Sequence, residues 1–279
     1  MHNIGLVVKT DPEARRKAEE LERWLRRRGA QVFTRGNRPD NTPTPACPDD
    51  LDGLFVLGGD GTFLSAVRWM GARSVPMLGV KFGEVGFLAE TTEEELYTAV
   101  EAVLADRFEI RPRMRLEVTV HRDGQEVMRE AVLNDVVVNK GALARLADIE
   151  TFIDDHYLTT YRADGLIVAT PTGSTAYSLA AGGPIVVPQV PGIVLTPICP
   201  FTLTVRPLII PDTVCVQLKL AEETPDIMLT FDGQVGMTIT DRDIIRIRQS
   251  PYPVKMIHLP GLRYYDLLKA KLRWSGGRV

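Results

Sequence analysis

The sequence predicts an α/β N-terminal domain with a mostly parallel sheet, an all-β, sandwich-like C-terminal domain, and a last helix that packs back on the first domain. Three observations support this prediction. Apolar runs first alternate with segments of helical spacing, which is typical of a parallel sheet covered by helices. From Met114 the sequence changes to short alternating strands and turns, and a helix-like segment follows at 264–272. We therefore predict domains at residues 1–113 and 114–260 and a returning helical segment at 261–279.

The first domain is predicted to open with a strand, a helix and a second strand. Residues 4–9 form an apolar run, and the segment up to Arg28 carries apolar residues at helical spacing before Gly29 ends it. Residues 31–33 predict a short second strand. Four prolines make residues 39–48 a loop.

Two further apolar runs, 53–57 and 76–80, predict buried strands on either side of a helix. A glycine-rich run at 58–62 joins the first of these strands to the helix, so it lies at a βα turn. Such turns stand at the carboxyl ends of parallel strands, where open α/β sheets bind their ligands. Another helix is predicted from about 92 to 105, with a threonine at its start as the cap.

The second domain is predicted from alternating residues and turns. The segment 116–121 followed by Arg122-Asp123-Gly124 is typical of a hairpin. Further short strands are predicted at 131–138, 151–158, 214–220 and 244–248.

Composition and charge exclude several classes of partner. The 33 basic and 36 acidic residues give a formal net charge of -3 and form no long block of one sign, so we expect no nucleic-acid partner. Prolines and Arg206 interrupt the most apolar stretch, 192–211, so we expect no membrane-spanning helix. The N-terminus lacks the pattern of a signal peptide.

The cysteines and histidines predict neither a metal site nor a disulfide framework. Cys47, Cys199 and Cys215 are odd in number and widely spaced, which fits a reducing cytoplasm. The four histidines are scattered without metal-ligand spacing, so we assign them surface or packing positions. The cysteines therefore predict a cytoplasmic protein. Because its charges are mixed, we expect any anion to be bound at a local site.

The run Gly58-Gly59-Asp60-Gly61-Thr62 places one carboxylate among three glycines at the start of a helix. Glycines let the main chain approach a bulky anion and adopt positive φ, and a helix N-terminus offers unpaired N–H groups to a phosphate. Alone, the run is equally consistent with a tight turn in which Asp60 and Thr62 only cap the helix. It predicts a phosphate site in combination with a second motif.

That second motif runs from Asp164 to Tyr177 and contains the string Thr-Pro-Thr-Gly-Ser-Thr-Ala-Tyr. It follows a strand and opens into a helix, so we expect its hydroxyls and free N–H groups to face one ligand. Upstream, Asn134 and Asp135 lie side by side in an apolar strand, where an unpartnered polar group costs roughly 2–7 kcal/mol. A ligand or a turn must satisfy them, and each feature taken singly is more often a turn or a cap.

Together these motifs resemble the NAD kinase family, which is related to the diacylglycerol and sphingosine kinases. The resemblance covers most of the chain, and the shared order and spacing of its motifs make it specific. The matching segments are 58–62, 83, 86–88, 134–135, 164–177, 182–184, 197–200 and 232–234.

The resemblance implies transfer of a phosphoryl group from ATP, or from another donor, to the 2′-hydroxyl of the adenosine ribose of NAD, which gives NADP. A neutral ribose hydroxyl is a poor nucleophile, so a carboxylate that accepts its proton in a loose phosphoryl transfer is chemically sensible. Asp60 is the candidate general base. Gly59, Gly61 and Thr62 are expected to hold phosphates, with Mg²⁺ held mainly by the donor and no metal ligand assigned in the protein.

The resemblance also implies which residues hold the acceptor. Asn134 and Asp135 would contact the adenosine part, with the carboxylate accepting from ribose hydroxyls. The other residues expected at the dinucleotide are Thr175, Ala176 and Tyr177 around the adenine, Asp164 and Thr172 toward the nicotinamide, and Asp232 and Gln234.

Four residues depart from the family's usual pattern, namely Lys81, Asp135, Phe201 and Val205. Asp135 stands where glutamate is usual and is one methylene shorter, and Phe201 and Val205 are expected at a subunit contact. These departures bear on substrate preference and on assembly, which the resemblance implies to be a homodimer or a homotetramer.

Two other functions remain open at this point. The first is a lipid or sphingoid-base kinase that shares the glycine motif, against which the adenosine-binding string argues. The second is a protein that senses NAD or NADP without turnover, against which the retained Asp60 argues.

Overall fold

A computed structural model describes residues 1–37, 46–83, 86–141, 145–222, 224–261 and 264–274. The chain divides into a first unit, Met1–Pro112 together with Val254–Val279, and a second unit, Arg113–Pro253. The helices are α1 (Pro12–Arg26), α2 (Asp60–Met70), α3 (Leu96–Leu104), α4 (Tyr177–Ala180) and α5 (Tyr264–Leu272).

The first unit is built on a six-stranded sheet in the order β2-β1-β3-β4-β18-β5. Neighbouring strands from β2 to β18 run parallel, as predicted for an α/β domain. Its strands are β1 (Asn3–Val8), β2 (Gln31–Gly36), β3 (Gly53–Leu57), β4 (Pro76–Val80), β5 (Glu109–Arg113) and β18 (Val254–His258).

Helix α1 shows how the sequence specifies this unit. Asp11 caps the helix, because its carboxylate accepts from the amides of Glu13 and Ala14, and Pro12 occupies the first turn without an N–H to satisfy. The apolar residues spaced along one face, including Leu21 and Leu25, are fully buried in the core of the first unit.

The second unit consists of two six-stranded sheets that share one apolar core, which confirms the predicted sandwich-like domain. Their orders are β10-β9-β14-β17-β6-β7 and β13-β12-β11-β8-β15-β16. The strands are β6 (Leu116–Arg122), β7 (Gln125–Val132), β8 (Asp135–Lys140), β9 (Ala147–Ile153), β10 (His156–Ala163), β11 (Gly165–Ala169), β12 (Ile193–Ile198), β13 (Leu208–Ile210), β14 (Val216–Leu220), β15 (Ile227–Phe231), β16 (Val235–Ile239) and β17 (Asp243–Gln249).

The second domain boundary differs from the predicted residue 260. Strand β18 belongs to the first unit, because it pairs in parallel with β4 through Lys255 and Met256. Helix α5 follows it, and the ammonium of Lys271 lies 5.4 Å from the centre of the Phe87 ring. The last helix therefore packs on the first unit, as the sequence predicts.

Three element boundaries also differ from the predictions. The segment 151–158 is the corner of a hairpin and not one strand, because Asp154 and Asp155 both have positive φ between β9 and β10. The segment 131–138 is broken after Val132, so Asn134 precedes β8 and does not lie inside a strand. Helix α3 begins at Leu96 and not near residue 92, although Thr92 and Glu95 make the reciprocal hydrogen bonds of a capping box, as the predicted threonine cap requires.

The predicted proline-rich loop at 39–48 lies mainly outside the described residues. In the part of the chain that the structure describes, no helix combines the length and the apolar character needed to cross a membrane.

Candidate active site

Asp60 is the first residue of α2 and stands directly beyond the carboxyl end of β3. Its carboxylate is half-buried and is held from one side by the main chain. Oδ2 accepts from the amide of Phe87 at 2.8 Å, and Oδ1 accepts from the amide of Leu88 at 3.0 Å. Because an ionised carboxylate has about four acceptor positions, a hydroxyl group can still donate to it.

Gly86 makes this arrangement possible. A Cβ atom at this position would lie 1.7 Å from Oδ1 and 2.4 Å from Cγ of Asp60, so any side chain here would have to displace the carboxylate. Because Gly86 has no side chain, the main chain comes close enough to Asp60 for the amides of Phe87 and Leu88 to donate to its carboxylate. Residues 86–88 match the family pattern, but their sequence alone does not indicate that two of their amides bind Asp60.

The three glycines of the Asp60 turn differ in their purpose. The expectation of positive φ is wrong for Gly58, Gly59 and Gly61, since positive φ occurs among the described glycines only at other positions. Gly58 is needed for close packing, because its Cβ would lie 2.5 Å from Oγ1 of the buried Thr62. At Gly59 and Gly61 no atom lies within 4 Å of the Cβ position. These two positions leave open space beside the N-terminus of α2, where an anion is favoured.

In the second unit, the structure brings Asn134 against the string that follows β11. The amide of Thr170 donates to the carbonyl of Asn134 at 2.8 Å, and the hydroxyl of Thr170 donates to the carbonyl of Leu133 at 2.6 Å. A Cβ on Gly173 would lie 2.0 Å from the Asn134 carbonyl oxygen. Gly173 therefore permits the contact between these two motifs, which are far apart in the sequence.

The hydroxyls of this string mostly face the protein, contrary to the expectation that they face one ligand. Ser174 donates to the carbonyl of Pro171 at 2.6 Å and accepts from the amide of Val186 at 2.9 Å. Thr175 donates to the carbonyl of Thr172 at 3.1 Å. These bonds shape the 3₁₀ turn Gly173–Thr175 and so leave main-chain groups and neighbouring side chains for a ligand.

The side chains of three residues of the string make no such hydrogen bonds to the main chain of the described residues. Within the described ranges, the hydroxyl of the buried Thr172 makes no hydrogen bond to protein. Ala176 joins the 3₁₀ turn to α4, and Tyr177, the first residue of α4, has 43% of its surface exposed. An aromatic ring in this position is available for stacking on a base.

Asp135 is a buried carboxyl group without a local cation. Its residue is 4% exposed, and within the described ranges its side chain makes no hydrogen bond to protein. Burial, and then the nearby Asp232 carboxylate, raise the pKa of Asp135 to about 7. Near neutral pH this side chain is thus able to act as a hydrogen-bond donor as well as an acceptor.

Asp232 uses its carboxylate to hold the main chain beside Asp135. Oδ2 accepts from the amide of Leu133 at 2.9 Å, and Oδ1 accepts from the amides of Asn134 and Asp135 at 2.7 and 3.1 Å. Burial raises the pKa of Asp232, whereas the three amides and the Arg115 guanidinium oppose that rise. Of the two aspartates, Asp232 is the one that has amide donors and a guanidinium to oppose the effect of burial.

Asp232 and Gln234 lie in the turn between β15 and β16. Asp232 and Gly233 both have positive φ, and the amide of Gln234 donates to the carbonyl of Phe231 at 2.9 Å. This is a type I′ hairpin turn. The structure places Asp232 as a support of the Asn134–Asp135 main chain, not as a side chain that faces outward.

Asp164 is not brought together with Asn134. It precedes β11, where Gly165 pairs with Asn139, whereas Asp135 pairs with Ala169 at the other end of that strand. Four residues of a strand span about 13 Å. Asp164 instead lies 3.5 Å from the ammonium of Lys140 and forms an ion pair with it.

The other residues that depart from the family pattern lie outside these contacts. The amide of Lys81 donates to the carbonyl of Thr91 at the end of β4. Phe201 is 68% exposed, with the Arg162 guanidinium 5.4 Å from its ring centre, and Val205 packs against the core of the second unit.

Among the described residues, no three His, Cys, Asp or Glu side chains lie together as a metal site would require.

Two family models match this chain. The ATP-NAD kinase N-terminal domain matches residues 40–108, and the ATP-NAD kinase C-terminal domain matches residues 133–259. The two matches include both the Asp60 turn and the Asn134–Asp135 segment.

Relatives with established names match over their full length. The chain is 53% identical to the NAD kinase of Desulfatibacillum aliphaticivorans over 285 residues, with 100% of both chains covered. It is 45% identical to the NAD kinase of Syntrophotalea carbinolica over 283 residues, with 99% of both covered.

Two solved structures share the fold. Yeast NADH kinase in complex with NADH matches with a TM-score of 0.88 and 26% identity, over 100% of this chain and 89% of that one. An NAD kinase from Archaeoglobus fulgidus in complex with ATP matches with a TM-score of 0.76 and 25% identity, over 97% and 98% of the two chains.

Proposed function

Because the chain belongs to the NAD kinase family, we propose that Asp60 is the general base that takes the proton of the adenosine 2′-hydroxyl while NAD is phosphorylated. The protein is an enzyme that transfers a phosphoryl group from ATP to NAD and gives NADP. The observation that carries the proposed role is the anchoring of the Asp60 carboxylate by two amides beside an open glycine turn.

The anchoring fits the demands made on a base in phosphoryl transfer. A loose transition state needs positioning and charge stabilisation more than covalent chemistry, and the hydroxyl loses its proton late. Two amide bonds fix the direction of the Asp60 carboxylate and leave acceptor positions for the ribose hydroxyl.

The donor phosphates are proposed to lie at the N-terminus of α2. Gly59 and Gly61 leave room there, and the positive end of the helix dipole favours an anion. Thr62 is buried behind Gly58 and its amide donates to the carbonyl of Gly59 at 3.0 Å, so we propose that it shapes the turn at which the donor binds. Mg²⁺, held mainly by the oxygens of the donor, would neutralise the charge of the donor phosphates.

The acceptor is proposed to bind along the segment that Asp232 supports. Asn134 and Asp135 contact the adenosine, and Thr175, Ala176 and Tyr177 surround the adenine. Thr172, expected with Asp164 toward the nicotinamide, instead follows the end of β11 that lies beside Asn134. Asp232 and Gln234 act through the main chain by fixing the turn and the amides of 133–135. A contact of Asp164 near the nicotinamide requires an extended dinucleotide, because Asp164 lies at the other end of β11.

We also propose that the enzyme is a cytoplasmic homo-oligomer. Its cysteines are free thiols, which suits a reducing compartment. Phe201, Leu203 and Ile209 expose apolar side chains near the edge strand β13, which is a feature of association surfaces.

The proposed roles are tested by incubating the purified protein with Mg²⁺, NAD and ATP and measuring NADP with a dehydrogenase that accepts only NADP. We expect NADP formation that depends on all three additions. Replacing ATP by other nucleoside triphosphates or by polyphosphate then defines the donor, and replacing NAD by NADH defines the acceptor. Absence of NADP with every donor, from protein that is folded by circular dichroism, would refute the proposal.

A further inference from the structure

A buried histidine contacts a partly buried glutamate of the segment whose amides hold Asp60. Nδ1 of His258 lies 3.4 Å from Oε2 of Glu90, and the two side chains are only 7% and 17% exposed. His258 is the last residue of β18, at the far end of the sequence from Asp60. A buried polar contact of this kind is costly to leave half made, because the remaining group loses both water and its partner.

Glu90 belongs to the same short segment as the amides that anchor Asp60. That segment runs from Gly86, past the Phe87 and Leu88 amides, to Thr91. Thr91 pairs with the end of β4, since its amide donates to the carbonyl of Gly79 at 3.2 Å and its carbonyl accepts from the amide of Lys81 at 2.8 Å. Glu90 is thus one residue from a fixed point and two residues from the Leu88 amide.

The segment also lies directly on β4. A Cβ on Gly79 would be 2.8 Å from both the Leu88 carbonyl oxygen and the Ala89 Cα, and Ala89 itself is fully buried. Packing on Gly79 and the two hydrogen bonds of Thr91 hold the segment on β4. The contact with His258 supplies a lateral restraint, because β18 is the neighbour of β4 and pairs with it through Lys255 and Met256.

We propose that Glu90 and His258 are positioning residues for phosphoryl transfer, which tie the segment carrying the Phe87 and Leu88 amides to β18 and thereby aim the Asp60 carboxylate. The inference rests on the proposed role of Asp60 as the base. Neither residue needs to touch substrate. A misplacement of about 1 Å at a reacting group costs on the order of 10²-fold in rate. Loss of a restraint that positions the Asp60 carboxylate should therefore have a measurable effect even though the restraint lies outside the site.

The test compares removal of the contact with its conservative replacement. Glu90→Ala and His258→Ala should each lower kcat about 10- to 100-fold and change the KM values for NAD and ATP less than threefold. Glu90→Gln keeps an oxygen acceptor and His258→Asn keeps a donor near the position of Nδ1, so each should recover most of the loss. The double alanine variant should be no slower than the slower single variant, because both changes remove one contact.

A second measurement tests whether the contact positions the Phe87 and Leu88 amides, and it does not depend on enzyme activity. Hydrogen exchange at the Phe87 and Leu88 amides should quicken in the alanine variants, while exchange in the core strand β3 should not change. Glu93→Ala is the matched control: Glu93 lies nearby in the chain and its ion pair with Lys17 at 3.8 Å is more exposed. This variant should leave kcat and the exchange of both amides unchanged.

Several results would overturn the proposal. These are an unchanged kcat in folded alanine variants, a loss confined to KM, or single effects that multiply in the double variant. If the alanine variants do not fold, Glu90→Asp shortens the reach by one methylene and should lower kcat and quicken exchange in the same way. If the parent protein forms no NADP, the proposed function fails, whereas the exchange of the two amides still decides whether this contact anchors them.

Discussion

A Cβ atom at position 86 would lie 1.7 Å from Oδ1 of Asp60, so the main chain at Gly86 lies closer to the proposed base than any residue with a side chain could without displacing the carboxylate. The closeness is what brings the amides of Phe87 and Leu88 to the carboxylate. A small change at a residue with no side chain should therefore disturb the chemistry.

Gly86→Ala is expected to lower kcat about 10²-fold or more, because the added methyl group must displace either the carboxylate or the segment that holds it. Gly36→Ala is the control, since nothing lies within 4 Å of its Cβ position and its φ is not positive. Steady-state kinetics of both variants, with melting curves to verify folding, check this. Normal turnover in Gly86→Ala would show that the position of Asp60 is not critical.

Asp60→Asn is expected to lower kcat by roughly 10²–10⁴ with a much smaller loss of NAD affinity. Asparagine cannot accept the hydroxyl proton, and its amide group would also face one of the two N–H donors at Phe87 and Leu88. Turnover and NAD binding by calorimetry separate the two effects. If turnover stays at the parent level, Asp60 is structural and the base lies elsewhere.

Asp135 makes the stability of the protein depend on pH. Its pKa of about 7 in the folded state lies above the ordinary value near 4, so the folded state binds an extra proton between these pH values. The stabilisation is fully present below about pH 4 and is lost as the pH rises through about 7. Asp232 supplies part of this effect by repulsion, so the two buried carboxyl groups act as a pair.

Asp135→Asn should therefore remove this pH dependence. We expect the parent to lose about 1–4 kcal/mol more in free energy of unfolding than the variant when the pH is raised from 5 to 8.5. Urea unfolding at the two pH values measures the difference, and Asp241→Asn, an exposed aspartate of the same unit, serves as the control. Parallel pH profiles for parent and variant would contradict the raised pKa.

The fold class could be predicted from sequence periodicity, because the burial of one face of a helix or strand sets the spacing of apolar residues within that element. It could not assign β18, since an apolar run such as 254–258 suits either sheet and only pairing with β4 decides. The hairpin corner at Asp154 and Asp155 was missed because two aspartates with positive φ carry no glycine signal. Such features depend on contacts that are far apart in the chain.

The candidate site was predictable to a similar degree. Asp60 and Asn134 could be selected from motifs, because glycine-rich turns at strand ends have a local cause. The role of Asp232 could not, since a carboxylate beside a glycine has the same sequence pattern whether it bonds a ligand or the amides of Leu133 and Asn134. The contact between Glu90 and His258 joins residues that are far apart in the sequence, so neither local segment predicts it.

The contact between Asn134 and Gly173 offers a final prediction about NAD binding. Gly173→Ala would place a methyl group 2.0 Å from the Asn134 carbonyl oxygen and should displace the segment that carries Asn134 and Asp135. Asn134→Ala removes the side chain but leaves the segment in place. Both variants should raise the KM for NAD about tenfold or more, because each disturbs the proposed adenosine contacts, while the KM for ATP should change little.

The two variants should differ in stability, which distinguishes the causes. Gly173→Ala should lower the melting temperature, because the clash strains the buried bonds of Thr170 to Leu133 and Asn134. Asn134→Ala should melt close to the parent, since Asp232 holds the amide of residue 134 whatever its side chain. An unaltered KM for NAD in Asn134→Ala would remove that side chain from the site and leave the main chain of 133–135 as the part that the nucleotide contacts.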